Sequence, residues 1–239
     1  MPHHSEILIN AFAFIAFRTV ADGDYIAARM AWRRMLFPQY FWLIQQAIEK
    51  YLKCILLLHR WEIPRHHDLQ RLLSDADRAF PVPLRRSEST DRLINEVNVG
   101  PGIRYGEESW DVDRDMRPEF DTCVWELRRY CQAVRVVVDG TVVDTTANVL
   151  EAVGLSEMQH PSRFRIEGGH IESILADRRC AARPDLVWRN ACFGSRQSRT
   201  GAYLNRYGHA SNTPAFVWPE LLDAVKPFGV YKGFEAAPT

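Results

Sequence analysis

The sequence predicts an all-α fold, and three observations carry that expectation. Phe41, Ile44, Ile48, Tyr51 or Leu52, and Ile55 recur at three- and four-residue steps, the spacing with which a helix lays one stripe into a core. The preceding segment, from Asp24 to Leu36, has helical spacing of its own and stops near Pro38, so the two read as an antiparallel hairpin. Further on, Pro118 suits the first turn of a helix that puts Phe120, Val124, Leu127, Cys131 and Val134 on one face.

Taken in order, the N-terminal run ILINAFAFIAF is apolar but lacks a basic leader and a small-residue cleavage site, so it is expected to lie in the core. The first clear helix is expected at Asp24, an N-cap residue after Gly23. The second runs from about Tyr40 to Leu58. After the loop HRWEIPRH, a shorter helix turns Leu69, Leu72 and Leu73 inward and closes before Pro81 and Pro83. A weaker helix covers about Thr90 to Val97, ahead of Gly100 to Gly102. From Pro118 a long helix is expected to reach about Val138 with Gly140 as its stop. The same stretch, VRVVVDGTVV, also fits a hairpin, because Asp-Gly between valine runs signals a type I′ turn. TTANVLEAVG then reads as a brief helix, followed by short apolar runs broken by Gly, Pro and Arg.

Composition narrows the function classes. With 46% hydrophobic and 25% charged residues among 239, the chain has enough apolar material for a real core and no membrane-length apolar run. Five cysteines without a CxxC pair argue against a disulfide framework and a zinc site, and fit a reducing cytoplasm. No metal and no cofactor is expected, since GxGxxG, Walker, HExxH and GxSxG patterns are all missing. The formal net charge of zero conceals an uneven distribution: nine arginines face four acids between His160 and His209.

The segments ADGDYIAARMAWRRMLFPQYFWLIQQAIEKYLKCILLL, HHDLQRLL and IRYGEE together resemble the HEPN family, whose name refers to higher eukaryotes and prokaryotes nucleotide-binding. The resemblance covers about residues 20 to 138, and the QAIEKYLK helix with the HDL that follows is its most specific part. It implies an up-and-down bundle of four to five helices, often dimeric, with a mixed or irregular C-terminal extension left outside it. The expected organisation is a bundle over 1–140 and a basic extension over 141–239 packed on it.

Site candidates follow from residues and resemblance together. Gln46, Glu49, Lys50 and Lys53 share one side of their helix, by default a solvated face worth a few tenths of a kcal/mol per charged pair. The resemblance would have the HDL helix and the Arg104–Tyr105 segment close over that strip, with Lys50, Lys53, His67 and Arg104 around an anion. Many HEPN members are metal-independent ribonucleases with an arginine and a histidine four to six residues apart, paired across a dimer. A histidine can take the ribose 2′-OH proton while arginine neutralises charge growing on phosphate. Candidate pairs are Arg60 with His66 or His67, and Arg163 or Arg165 with His170, although the segment after Arg104 has no histidine. Gly168 and Gly169 suit a turn into a short helix at His170. The aromatic-interleaved basic stretch near the C-terminus fits single-stranded nucleic acid, with Arg196 and Arg199 as phosphate contacts, or simply docks the extension.

The resulting expectation is a cytoplasmic, homodimeric module without a membrane segment that binds RNA, a nucleotide or a partner of the nucleotidyltransferase type in a defence or stress system. The alternative is a metal-independent ribonuclease using an Arg/His pair across the dimer.

Overall fold

In the computed structural model of the chain, residues 2–98, 110–112, 116–195 and 209–211 are described. They are mostly helical. α1 (Pro2–Phe12) runs through a π-helical stretch (Ala13–Arg18) into α2 (Thr19–Arg33), and α3 (Phe37–Leu58), α4 (Leu69–Ala79) and α5 (Glu88–Val97) follow. Then come β1 (Trp110–Val112), α6 (Arg117–Arg128), the strands β2 (Arg135–Val138) and β3 (Thr141–Asp144), α7 (Thr146–Glu157), α8 (His170–Ala176), α9 (Arg183–Val187) and β4 (His209–Ser211). One compact unit contains residues 1–98 and 116–205; a second, residues 99–115 and 206–239, contains the antiparallel β1–β4 pair with Trp110 opposite Ser211.

α2 and α3 form the central hairpin, and the turn between them is a Schellman stop. Leu36 N–H reaches Ala31 C=O at 2.9 Å and Met35 N–H reaches Trp32 C=O at 2.9 Å, with Met35 left-handed at φ 56°. The apolar stripe of α3 is the core: Ile44, Ile48, Tyr51, Leu52 and Ile55 are fully buried. They meet Leu69, Leu72 and Leu73 of α4 and Phe120, Val124 and Leu127 of α6, all buried as the periodicity requires.

Three expectations need correction. No helix starts at Asp24: α2 is already under way at Thr19, so Gly23 sits mid-helix, and a methyl group there would meet nothing within 4 Å. The N-terminal run is not wholly core, because Ile7, Leu8, Phe12 and Ile15 are more than half exposed; α1 lies against α3, β2 and β3 on one side only. The helix from Pro118 does not reach Val138. It ends at Arg128, and residues 135–144 form the alternative hairpin, with Val138 opposite Thr141 and both Asp139 (φ 48°) and Gly140 (φ 75°) at positive φ. A type I′ turn needs that pair of conformations, and three consecutive β-branched valines favour a strand over a helix.

Buried polar groups join the chain after residue 141 to the central hairpin. Asp22 of α2, fully buried, accepts hydrogen bonds from Tyr51 Oη (2.7 Å), Arg128 Nε (2.8 Å) and the Ile171 backbone (3.3 Å). Arg128 also holds Glu172 of α8 at 2.6 Å. Similarly, Asp121 accepts from Tyr25 Oη and the Ala191 backbone and pairs with Arg29, whose guanidinium also reaches the Asp185 and Trp188 carbonyls. Each buried carboxylate therefore has its counter-charge and several donors, which is what makes burial tolerable.

Candidate functional site

The polar strip of α3 is not a wet face. Glu49 and Lys53 are 5% and 8% exposed, and their side chains meet at 2.7 Å one helical turn apart. Lys50, half-buried, turns to Asp24 of α2 at 2.8 Å and to Gln46 Oε1 at 2.9 Å. Both lysines are thus neutralised, and the strip contributes no free positive charge.

What the strip does is hold a histidine. His67 Nδ1 lies 3.0 and 2.9 Å from the two Glu49 oxygens, while its ring is 58% exposed. Its position comes from the start of α4. Asp68 caps that helix, accepting from Gln70 N–H (3.0 Å) and Arg71 N–H (3.1 Å). Asn98 locks the cap, taking Leu69 N–H at 2.6 Å and donating to Asp68 at 3.2 Å. The residue just before a pinned N-cap is presented to α3 in one orientation, so His67 meets Glu49. Burial alone would raise the Glu49 pKa, but the hydrogen bonds from Lys53 and His67 outweigh it and hold the carboxyl below its ordinary value. A carboxylate that fixes imidazole Nδ1 leaves Nε2 facing outward chemistry, the arrangement that orients a general acid or base.

Arg60 is engaged elsewhere. It is the left-handed residue (φ 64°) of the Schellman stop that ends α3, with Arg60 N–H to Leu57 C=O and Trp61 N–H to Leu56 C=O, each 2.9 Å. Its side chain caps the carbonyls of Leu57 (3.1 Å) and Leu58 (2.8 Å), bonds Asn10 at 2.9 Å and pairs with Glu6 of α1. No hydrogen bond or ion pair joins it to His67 among the described residues. His170, half-buried, opens α8 after Gly168 (φ 62°) and Gly169, as their spacing suggested. A Cβ at Gly169 would fall 1.9 Å from Glu172 and 2.6 Å from Arg128, so that ion pair would have to shift. Arg165 is exposed and makes no hydrogen bond or ion pair with His170. Arg104, Tyr105, Arg196 and Arg199 lie outside the described residues.

Sequence reasoning missed Asn98 and the Asp24–Lys50 pair. An Asn just after a predicted helix and an Asp mid-helix carry no signal until the tertiary fold sets them beside their partners. Among the described residues, no three His, Cys, Asp or Glu side chains come together as a metal site, and no helix is long and apolar enough to cross a membrane.

A central α2–α3 hairpin covered by short helices, with one polar strip closed by a capped loop, defines a helical-bundle domain of the kind the resemblance implied. Residues 17–100, about a third of the chain, match the family model described as HEPN domain. That match points to nucleotide- or RNA-related function in general. No curated protein and no solved structure significantly matches the chain.

Proposed function

We propose that the HEPN bundle is a recognition module for RNA or a nucleotide, working in a defence or stress system and associating as a homodimer or with a nucleotidyltransferase-type partner. The observation that supports it is the exposed His67 ring fixed on a charge-neutral strip, while Arg60, the arginine that spacing offered as its partner, is committed to capping α3. An immobilised imidazole can stack on a base or donate to phosphate at little entropic cost.

A second reading is favoured by the Glu49–His67 hydrogen bond itself. In a metal-independent ribonuclease, Glu49 would orient His67, His67 would move the 2′-OH proton, and an arginine, Arg104 or one from a second copy, would neutralise the phosphate. His170 with Arg165 is the competing pair.

RNA binding and RNA cleavage in EDTA, measured side by side on the full chain, His67→Ala and His170→Ala, separate these readings. Binding that weakens in His67→Ala without cleavage in any protein supports recognition. Metal-independent cleavage lost in one variant establishes the ribonuclease and its histidine. Neither binding nor cleavage would overturn both.

A further inference from the structure

Residues 160–195 contain six arginines (Arg163, Arg165, Arg178, Arg179, Arg183 and Arg189) and four acids. Two of those acids are consumed by arginines from earlier helices: Glu172 by Arg128, and Asp185 by Arg33. Of the other two, Asp177 bonds the Arg179 backbone at 2.8 Å. The segment is therefore more basic in the folded chain than its composition suggests.

Three of these arginines line one open cavity of about 680 Å³. Arg165, Arg183 and Arg189 surround it together with Ser162, Leu175 and Trp188. Arg183 is steadied by Nε–H donation to the Leu175 carbonyl at 3.2 Å, and its terminal amino groups make no hydrogen bond among the described residues. Arg189 is held left-handed at φ 45° with its guanidinium 5.3 Å from the Trp188 ring. Arg33 and Arg117 also lie 5.0 and 4.6 Å from that same ring. None of the three lining arginines has a carboxylate partner among the described residues. Like charges facing one concavity repel, and the focused potential favours an anion that spans them. Guanidinium forks match phosphate oxygens in pairs, and three of them suit two phosphate groups better than one carboxylate. The volume falls within the range of small-molecule sites, roughly 300–1,000 Å³.

We infer that this cavity binds the phosphates of a ligand carrying two or more of them, either a free diphosphate compound or a stretch of RNA backbone. It shares no residue with the Glu49–His67 pair and lies outside residues 17–100, so it stands apart from the reading of that pair, and only Arg165 is common to it and the competing Arg165–His170 pair.

Isothermal titration of the full chain with pyrophosphate, ADP and a short single-stranded RNA, at low and high salt, tests the inference. The variants are Arg165→Glu, Arg165→Lys and Arg183→Gln, each checked for an unchanged thermal melt. Arg165 is exposed and unpaired among the described residues, so its replacement should leave the fold intact. Arg165→Glu is expected to weaken binding by at least about tenfold, Arg183→Gln by several-fold, and Arg165→Lys much less than Arg165→Glu. Pyrophosphate and ADP binding as tightly as RNA identifies a free diphosphate as the source. RNA binding far tighter, with a salt slope reduced by about one in Arg165→Glu, identifies the backbone. No binding of any probe at low salt, or binding that both Arg165→Glu and Arg183→Gln leave unchanged, would overturn the inference.

Discussion

Acid should destabilise this fold through one histidine, His59. It follows the last turn of α3, its ring centroid lies 4.1 Å from that of Phe80, and its Nε2 is buried without a hydrogen-bond partner among the described residues. Burial pushes its pKa down from 6.5 to about 4, opposed by Asp144 and reinforced by Arg60. Because the folded pKa lies below the unfolded one, the unfolded chain takes up the proton first as pH falls. The contribution to stability is therefore complete above about pH 6.5 and is lost progressively as pH drops toward about 4, below which nothing more is lost. The full separation corresponds to about 3 kcal/mol, of which about 2 kcal/mol should disappear between roughly pH 7 and pH 4.5. Urea unfolding followed by circular dichroism at those two pH values, for the natural chain and His59→Leu, isolates the effect, since carboxylate titration is common to both. The natural chain should lose about 2 kcal/mol more than the variant. Equal losses would refute the reasoning and place the acid sensitivity elsewhere.

Asp22→Ala strands Arg128, Tyr51 and the Ile171 amide, and should cost about 3–5 kcal/mol in urea unfolding; a loss under about 1 kcal/mol would mean water or Glu172 replaces the carboxylate. Gly23→Ala fills open space on a helix and should stabilise by about 0.5–1 kcal/mol, raising the melting midpoint by roughly 2–4 °C; a fall would show that the site is crowded. Arg60→Ala should cost about 2 kcal/mol by releasing α1 from the end of α3, with RNA binding and cleavage unchanged if its role is capping alone; loss of cleavage in a folded variant would return it to the site. Glu49 and Glu172 are both held below their ordinary values, chiefly by hydrogen-bonded Lys53 with His67 and by Arg128 against the effect of burial. Their stabilisation is present above the ordinary carboxylate pKa of about 4.3 and is lost as pH falls through the depressed values. Glu172→Gln should flatten the acid limb of the unfolding profile below about pH 4.5; an unaltered limb would contradict that assignment.

The stripe of α3 and the inward leucines of α4 could be read directly, because helical periodicity is local. The hairpin at 135–144 was also written locally, in its valines and Asp-Gly turn. It lost to an apolar face that continues through Cys131 and Val134, both buried although neither belongs to α6. Burial without helix is what made the longer helix look convincing. The fates of the arginines were not legible. Arg29, Arg117, Arg128 and Arg129 are all 2% exposed or less, and in the sequence they look like any other surface cation. Only the tertiary fold, by bringing Asp121, Asp22, Glu172 and Trp188 alongside, turns some of these positions inward. The same holds for the strip on α3, whose charges read as solvated until Asp24 and His67 arrive from elsewhere.

The wiring of Asp22 changes where the protein could be cut. Its counter-ion, Arg128, and the amide of Ile171 both lie beyond residue 100, so an expressed fragment limited to 17–100 would keep Asp22 and the Tyr51 hydroxyl without the cation and the elements that enclose them. Phe120, Val124 and Leu127, which close the apolar side of the hairpin, would go with it. The family match ends at residue 100, but the buried contacts of the hairpin continue to Ala191 and Phe193, and a truncation at residue 100 is expected to lose the fold.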